Sequence, residues 1–269
     1  MNEAELVLTH VLNCDRMSLY LNKDINLNRD KSALLSSILK RRILGEPVQY
    51  ILGKTEFMGL EFKVDNRALI PRPETEILVE AAVEKLKRMG IISPKVLDLG
   101  TGSGCIAVAV AKAFTCSDVW ASDISNAALQ LAGENACLNN VKIKFIQSDI
   151  FDAPEFRNHK FDLIISNPPY ISSGEFHSLD KEIFFEPQLA LKAGKDGLDF
   201  YRRIISRAAH YLKDNGLLMF EVGLSQAYFV KEMLEKKGFE QLSLIRDYND
   251  IERIVMARKG LLKNGQTDY

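Results

Sequence analysis

Residues 161–170 read FDLIISNPPY, an apolar run followed by two prolines between an asparagine and a tyrosine. The apolar run at residues 161–166 predicts a buried strand, so residues 167–170 lie on the loop at its carboxyl end. Open α/β sheets bind their ligands at that edge. The stretch therefore predicts a strand in such a sheet and a binding site beside it.

The tetrapeptide Asn167-Pro168-Pro169-Tyr170 carries groups suited to hold a planar nitrogen. Two consecutive prolines remove two N–H donors and fix φ, so the neighbouring carbonyls are held rigid. The Asn167 side chain and such a carbonyl can accept both hydrogens of an NH2 group, while Tyr170 offers a flat face. The alternative is a plain turn that ends the strand, because Asn-Pro is common in turns.

Composition describes an ordinary globular chain. Of 269 residues, 46% are hydrophobic and 26% are charged, and 35 basic residues against 36 acidic ones give a net charge of -1. This balance provides no general attraction to a nucleic-acid backbone, so we do not expect stable nucleic-acid binding.

Cysteine and histidine usage argues against a metal site. The four cysteines have no C-x-x-C spacing and only four histidines are present, so neither zinc binding nor a disulfide framework is expected. A reducing cytoplasm fits this pattern. The acidic N-terminus lacks the features of a signal peptide, and no run approaches the ~18 apolar residues of a membrane span, so we expect no membrane association.

Hydrophobic periodicity divides the chain into three parts. Residues 1–53 are predicted to be helical, with one helix beginning near Asn28 or Asp30, and residues 54–75 to contain a β-hairpin that joins two domains. Strands and helices alternate in the domain at residues 76–269, except for an irregular stretch up to Lys195 and a frayed end at 263–269. This alternation predicts an α/β, Rossmann-like, doubly wound sheet that is mostly parallel, with an antiparallel edge.

The predicted elements of the larger domain are seven strands and five helices. The strands are placed at residues 95–99, 118–122, 142–147, 161–166, 217–222, 242–246 and 253–258. The helices are placed at residues 77–89, 103–114, 126–138, 198–212 and 225–237.

A second motif, residues 98–104 with the sequence DLGTGSG, connects the first strand of this sheet to a helix. Its glycines allow close approach of a ligand, and Asp98 suits a cationic α-amino group better than a pyrophosphate. Asp123 ends the second strand, where it can accept both hydroxyls of a ribose. Asp149 follows the third strand and can accept from an adenine amino group, with Phe151 as a possible wall. Each acid alone could be a strand-end cap, but together they indicate S-adenosylmethionine.

The two motifs together predict methyl transfer to a nitrogen. An amide or aromatic amine is a poor nucleophile because its lone pair is delocalised. Accepting both of its hydrogens in a fixed geometry would aim that lone pair, so the contribution comes from orientation and electrostatics. No metal is needed. No general base is evident, since His159, His177 and His210 fall on loop or helix positions.

The chain resembles the HemK/PrmC family of peptide-chain release factor glutamine methyltransferases over nearly its full length. The segments that carry the resemblance are residues 47–53, 70–76, 98–104, 167–170, 185–187, 190–191 and 197–198. The resemblance implies a class I S-adenosylmethionine-dependent methyltransferase fold. It also implies methylation of the Gln side chain in the Gly-Gly-Gln motif of class I release factors, with S-adenosylhomocysteine as the second product.

The resemblance assigns residues to three roles. The catalytic residues would be Asn167, Pro168 and Tyr170. The cofactor would be bound by Leu69, Thr75, Asp98, Gly100, Thr101, Gly102, Ser103, Gly104, Asp123, Asp149, Ile150, Phe151 and Asn167. The substrate would be bound by Asn167, Pro168, Pro169, Tyr170, Glu186 and Pro187. The helical N-terminal domain would recognise the release factor.

Two other functions use the same residues. A nucleic-acid methyltransferase acting on adenine N6 or guanine N2 would place an extruded base in the same loop, but would favour a basic groove. A binding module that senses S-adenosylmethionine without catalysis is the other alternative, which the intact tetrapeptide at 167–170 argues against.

Overall fold

The computed structural model describes residues 2–21 and 26–260, apart from the side chain of His177. The predicted frayed end at residues 263–269 lies outside the described residues.

Four helices begin the described chain, and the first, third and fourth share a small core of their own. Asn2 and Glu5 form a reciprocal capping box at the first helix. Asn28 caps the third helix, which therefore begins where the sequence predicted. The helices are α1 Glu3–Leu12, α2 Arg16–Leu21, α3 Arg29–Ile43 and α4 Val48–Leu52. Their buried contacts come from Val7, Val11, Ile38 and Val48.

A hairpin follows, made of β1 Lys54–Phe57 and β2 Leu60–Lys63. Met58 and Gly59 form its turn with φ of 52° and 71°, the backbone geometry that two-residue hairpin turns require. Asn135 accepts a hydrogen bond from the Lys63 N–H at 2.7 Å and donates one to its carbonyl at 3.0 Å. The predicted hairpin is therefore present, and a side chain of the larger domain covers its edge.

The larger domain contains the seven-stranded sheet expected from the alternating pattern. Its strands are β3 Lys95–Leu99, β4 Asp118–Asp123, β5 Lys144–Gln147, β6 Phe161–Ser166, β7 Leu212–Glu221, β8 Phe239–Arg246 and β9 Glu252–Lys259. They lie in the order β5-β4-β3-β6-β7-β9-β8, parallel as far as β7 and antiparallel at β9 and β8. The mostly parallel doubly wound sheet with an antiparallel edge is thus confirmed.

Helices cover both faces of the sheet. They are α5 Pro73–Arg88, α6 Cys105–Ala113, α7 Asn126–Leu138, α8 Asp199–Tyr211 and α9 Ala227–Lys236. Successive strand residues point to opposite faces, so Leu97 and Leu99 enter one buried cluster and Val96 enters the other. Both faces are buried, which explains why the central strands read as apolar runs rather than as alternating ones.

Some element boundaries differ from the predicted ones. Helix α5 begins at Pro73 rather than residue 77, because Pro is favoured at the start of a helix and Glu74 and Glu76 suit its first turn. It therefore starts inside the predicted linker at 54–75. Strand β7 starts at Leu212, five residues before the predicted position. Helix α4 lies within the predicted helical region at 1–53, and the irregular stretch before Lys195 contains three short 3-10 turns.

Within the parts of the chain that the structure describes, no helix combines the length and apolar character needed to cross a bilayer.

Gly104 is the glycine on which the start of helix α6 depends. Its φ is 82°, and an added Cβ would lie 2.9 Å from the Cβ of Ala132 on helix α7. We expect Gly104→Ala to destabilise the fold by about 2–3 kcal/mol, from left-handed backbone strain and overpacking together. The measurement is the free energy of unfolding in urea.

The neighbouring Gly133 provides a matched control. It lies inside α7, and an added Cβ would meet nothing within 4 Å. Gly133→Ala should raise the free energy of unfolding by about 0.5–1 kcal/mol, because Ala has the higher helix propensity. Equal effects of the two substitutions would contradict the packing argument.

Candidate functional site

The glycine turn after β3 forms the floor of a cavity at the carboxyl edge of the sheet. Gly100, Gly102 and Gly104 have φ of 70°, 54° and 82°, conformations that side chains rarely adopt. The turn is tied to the next strand because the Thr101 N–H donates to the carbonyl of Ser122 at 2.9 Å. It leads directly into α6, whose first N–H groups have no partner within the helix.

Asp123, at the end of β4, holds this turn in place and faces the same cavity. Its Oδ2 accepts from the Gly102 N–H and its Oδ1 from the Ser125 N–H, both at 2.9 Å. Burial raises the pKa of this carboxyl. A carboxylate has about four acceptor positions, so these contacts leave acceptor capacity for hydroxyl donors such as those of a ribose.

Asp98 lies beneath the turn. It is fully buried, its Oδ2 accepts from the Thr101 hydroxyl at 2.6 Å, and its Oδ1 has no hydrogen-bond partner within the described residues. Burial raises the pKa of Asp98 to about 7. Its carboxylate supports the turn from behind and is not among the groups that line the cavity.

The wall near the end of β5 is formed by Asp149 and Ile150. Asp149 accepts a hydrogen bond from Arg203 of helix α8 at 2.7 Å, and Ile150 has an unusual φ of 55°. Phe151, predicted as a wall, turns away from the cavity. It is buried, and its ring is stacked on Tyr211 with the centroids 4.4 Å apart.

Asn167 lies at the carboxyl end of β6, between the glycine turn and α5. Its Nδ2 donates to the Thr75 hydroxyl oxygen at 3.1 Å, and that hydroxyl donates to Glu221 Oε2 at 2.6 Å. Within the described part of the chain, the Asn167 side-chain oxygen accepts no hydrogen bond. Asn167 lines the cavity, so this oxygen is the acceptor that it can offer there.

Tyr170 ends the loop, and its role as a flat face for the substrate stays a prediction. Its ring packs against the core, and burial raises the pKa of Tyr170 to about 12. Its carbonyl accepts from Gln226 Nε2 at 2.9 Å, and an added Cβ at Gly197 would approach that carbonyl to 2.4 Å. Tyr170 therefore anchors the end of the loop, while Pro168 and Pro169 line the cavity.

Glu186 also acts from behind the cavity. Its side chain is 1% exposed, it accepts from Arg72 Nη2 at 2.6 Å, and burial raises the pKa of its carboxyl. Arg72 lines the cavity whereas Glu186 does not. Pro187, next to Glu186, lines it as well.

Most of the residues assigned to the site from the sequence line one cavity. Those that do are Leu69, Thr75, Gly100, Thr101, Gly102, Ser103, Asp123, Asp149, Ile150, Asn167, Pro168, Pro169 and Pro187. Those that do not are Asp98, Gly104, Phe151, Tyr170 and Glu186. A glycine turn, an acid with spare acceptor positions and an apolar wall fit the S-adenosylmethionine expected from the sequence.

Several lining residues were not assigned from the sequence. Arg72 stands in a segment that carries the family resemblance and could have been found there. Arg203 and Phe200 come from helix α8, and Arg67 from the loop after the hairpin. No local motif marks these three positions, since only the tertiary fold brings them to the cavity.

Comparison with protein families covers both parts of the chain. The model for the PrmC N-terminal domain matches residues 1–53, and the model for the methyltransferase small domain matches residues 73–197.

Among solved structures, a methyltransferase from Pyrococcus furiosus has a TM-score of 0.57 and 18% identity, covering 87% of this chain and 100% of that one. A 16S rRNA N2 methyltransferase from T. Thermophilus, solved with AdoMet and guanosine, has a TM-score of 0.56 and 21% identity. It covers 77% of this chain and 49% of that one. At these identities the two structures show the shared fold alone.

Curated relatives are considerably more similar in sequence. A release factor glutamine methyltransferase of Geobacter sulfurreducens is 40% identical over 259 residues, which are 96% of this chain and 89% of the relative. Another, from Thermodesulfovibrio yellowstonii, is 38% identical over 96% of this chain and 92% of its own length. The chain therefore belongs to the release factor glutamine methyltransferase family.

Proposed function

We propose that this enzyme transfers a methyl group from S-adenosylmethionine to the side-chain amide nitrogen of a glutamine. The glutamine is the one in the Gly-Gly-Gln motif of class I release factors. The products are N5-methylglutamine, S-adenosylhomocysteine and a proton, which leaves the amide nitrogen for solvent. The observation that supports this most directly is the side-chain oxygen of Asn167, which accepts no hydrogen bond from any residue the structure describes, in the cavity that the glycine turn also lines. The family membership supports the choice of substrate.

The protein's contribution is to orient a weak nucleophile. When bound, S-adenosylmethionine supplies an electrophilic methyl group on a sulfonium. The Asn167 side-chain oxygen and the Pro168 carbonyl would accept the two amide hydrogens and so aim the nitrogen lone pair. This role needs acceptors in fixed positions rather than a general base, and the two prolines provide that rigidity.

The cofactor contacts are proposals built on the same cavity. Asp123 would take the ribose hydroxyls with its remaining acceptor positions, and Asp149 with Ile150 would flank the adenine. Asp98 would favour the cationic amino acid end from beneath the turn. Leu69 would border the cofactor from the opposite side.

A protein substrate also suits the mouth of the cavity. Exposed apolar side chains lie on the end of α3 and on the turns that follow the tetrapeptide, and one of them, Leu189, lines the cavity. They are Ile43, Leu44, Phe184, Phe185 and Leu189. Arg42 forms an ion pair with Glu182, which joins these two segments. We propose that residues 1–53 recognise the release factor, residues 54–75 act as the joint, and residues 76–269 carry out the transfer in the cytoplasm.

One assay distinguishes this function from the alternatives. The protein is incubated with methyl-labelled S-adenosylmethionine and, separately, with purified release factor, tRNA, rRNA or DNA. Label on the Gly-Gly-Gln peptide is the expected result. Label on a nucleic acid would favour the amino-methyltransferase alternative, and binding without transfer would favour the sensor.

Asn167→Ala is expected to lower the transfer rate by about 100-fold or more, because it removes one of two acceptors for the substrate nitrogen. The dissociation constant for the cofactor should change by less than about threefold. Single-turnover kinetics and calorimetric titration measure the two quantities. An equal loss of cofactor affinity would make Asn167 chiefly a cofactor residue.

Asp123→Ala is expected to raise the dissociation constant for S-adenosylmethionine by about 10- to 100-fold, since hydrogen bonds to a charged group are lost. Asp152→Ala is the matched control, because Asp152 pairs with Arg207 and does not line the cavity. Calorimetric titration of both variants gives the comparison, with thermal unfolding as a check on folding. Unchanged affinity in Asp123→Ala would remove this residue from the ribose site.

Ile43→Asp is expected to raise the KM for the release factor by about tenfold, with the cofactor dissociation constant unchanged. Ile92→Asp is the matched control. The two side chains are 84% and 83% exposed, but Ile92 precedes β3 and so lies at the opposite edge of the sheet. Similar KM values for both variants would argue against recognition by the N-terminal domain.

A further inference from the structure

Three elements meet at a chain of hydrogen bonds behind the cavity. Glu221 ends β7 and is 2% exposed, Thr75 lies in the first turn of α5 and is also 2% exposed, and Asn167 follows β6. The Thr75 hydroxyl donates to Glu221 Oε2 at 2.6 Å, and the Thr75 oxygen accepts from Asn167 Nδ2 at 3.1 Å. The proposed function uses the last member of this chain and leaves Glu221 without a role.

The direction of these hydrogen bonds follows from the chemistry of the first member. An ionised carboxylate can only accept, so the single hydroxyl hydrogen of Thr75 is committed to Glu221. The Thr75 oxygen can then only accept from its other neighbour. Asn167 must therefore turn its NH2 group toward Thr75, which directs its side-chain oxygen away from Thr75.

We propose that Glu221 is a positioning residue, which acts through Thr75 to hold the Asn167 amide in the orientation that offers an acceptor to the substrate nitrogen. This inference rests on the proposed function, in which the substrate presents an NH2 group. In the opposite orientation, the Asn167 NH2 group would face the substrate NH2 group, and neither could accept a hydrogen bond from the other.

The surroundings of Glu221 show that its burial is not balanced by an ion pair. Among the described residues, no Lys, Arg or His side chain forms an ion pair with the Glu221 carboxylate. The Arg253 side chain pairs with Asp247 instead. An unpaired buried carboxylate is costly, and a purely packing role could be filled by an uncharged side chain. The ionised Glu221 carboxylate can only accept hydrogen bonds, and this is the property that the chain through Thr75 requires.

Burial raises the pKa of Glu221 to about 7, against the lowering effects of its hydrogen bond from Thr75 and of a weaker one from the Asn167 side chain, which likewise requires the Asn167 NH2 group to face this carboxylate. Ionised above this pKa, the carboxyl can only accept. Once protonated, it can donate to Thr75, and the Thr75 hydroxyl can then donate to the Asn167 oxygen. The amide would reverse, so the transfer rate should fall as the pH drops through about 7.

Other charged or titratable groups face Glu221 from each neighbouring element. They are Glu74 on α5, Cys105 on α6, Tyr170 after β6, Tyr201 on α8 and Arg253 on β9. Burial raises the pKa of Tyr170 to about 12 and that of Cys105 to about 12, so neither titrates near neutral pH. Burial also raises the pKa of Asp98 to about 7. Asp98 lies under the glycine turn, so its titration would act on cofactor binding, and rates are therefore measured at saturating S-adenosylmethionine.

The kinetic test uses three variants of the full chain at saturating S-adenosylmethionine with a release factor as substrate. Thr75→Val and Glu221→Gln should lower the transfer rate by about tenfold or more. In Glu221→Gln, whose site does not line the cavity, the cofactor dissociation constant should change by less than about threefold. Thr75→Ser restores the hydroxyl and should recover most of the loss. The rise in rate around pH 7 should disappear in Glu221→Gln. Transfer at the wild-type rate in both Thr75→Val and Glu221→Gln would overturn the proposal.

A second test reads the amide itself and needs no turnover. The side-chain NH2 signals of Asn167 in ¹⁵N–¹H spectra are assigned by their loss in Asn167→Ala. They should shift with a midpoint near pH 7 in the wild type, and should not titrate in Thr75→Val or Glu221→Gln. Asn135 is the control, because its buried amide donates to the carbonyls of Lys63 and Ser103 and should not change.

The two tests separate this inference from the proposed function. A wild-type enzyme that fails to methylate any release factor contradicts the function, and the Asn167 signals then decide the inference alone. Signals that ignore both pH and the variants overturn the inference even when the wild type is active.

Discussion

The pairing of strands β3 and β6 is the constraint on which the site depends. The two strands are parallel neighbours, with Asp98 opposite Ile165, and the Ser166 hydroxyl donates to the Leu99 carbonyl at 2.7 Å. Parallel neighbours end at the same edge, so the glycine turn and the Asn167 loop have to leave the sheet side by side. A cofactor site and a nitrogen-binding loop far apart in sequence thereby become two walls of one cavity.

Buried carboxylates form a supporting layer behind that cavity. Asp98 holds Thr101, Glu186 holds Arg72 and Glu221 holds Thr75, and each carboxyl has a pKa raised first of all by burial. In each pair the acid is buried and its partner lines the cavity. Groups held in this way keep their orientation without contact between the acid and the ligand, which is how a rigid site can be built from flexible side chains.

The sequence predicted the parts of this structure that depend on local pattern. The apolar runs of β3 and β6, the hairpin turn and the capped start of α3 are each determined by neighbouring residues. The Thr75–Glu221 hydrogen bond joins residues 146 positions apart, so no local pattern indicates it. Phe151 was assigned as a possible wall beside the adenine, yet its ring is buried in the core, a placement that only the tertiary fold determines.

Different parts of this chain determine the fold and the choice of substrate. The fold is shared with methyltransferases less than 25% identical to this chain, one of them an rRNA methyltransferase. The Arg72–Glu186 pair instead connects the segment before α5 to the turns after β6, and the Arg42–Glu182 pair connects those turns to α3. Both pairs involve the turns after β6, and three residues of those turns, Pro187, Leu189 and Ala190, line the cavity together with Arg72. Selection of a protein loop over an extruded base would therefore be made at the mouth, where the helical N-terminal domain meets the sheet.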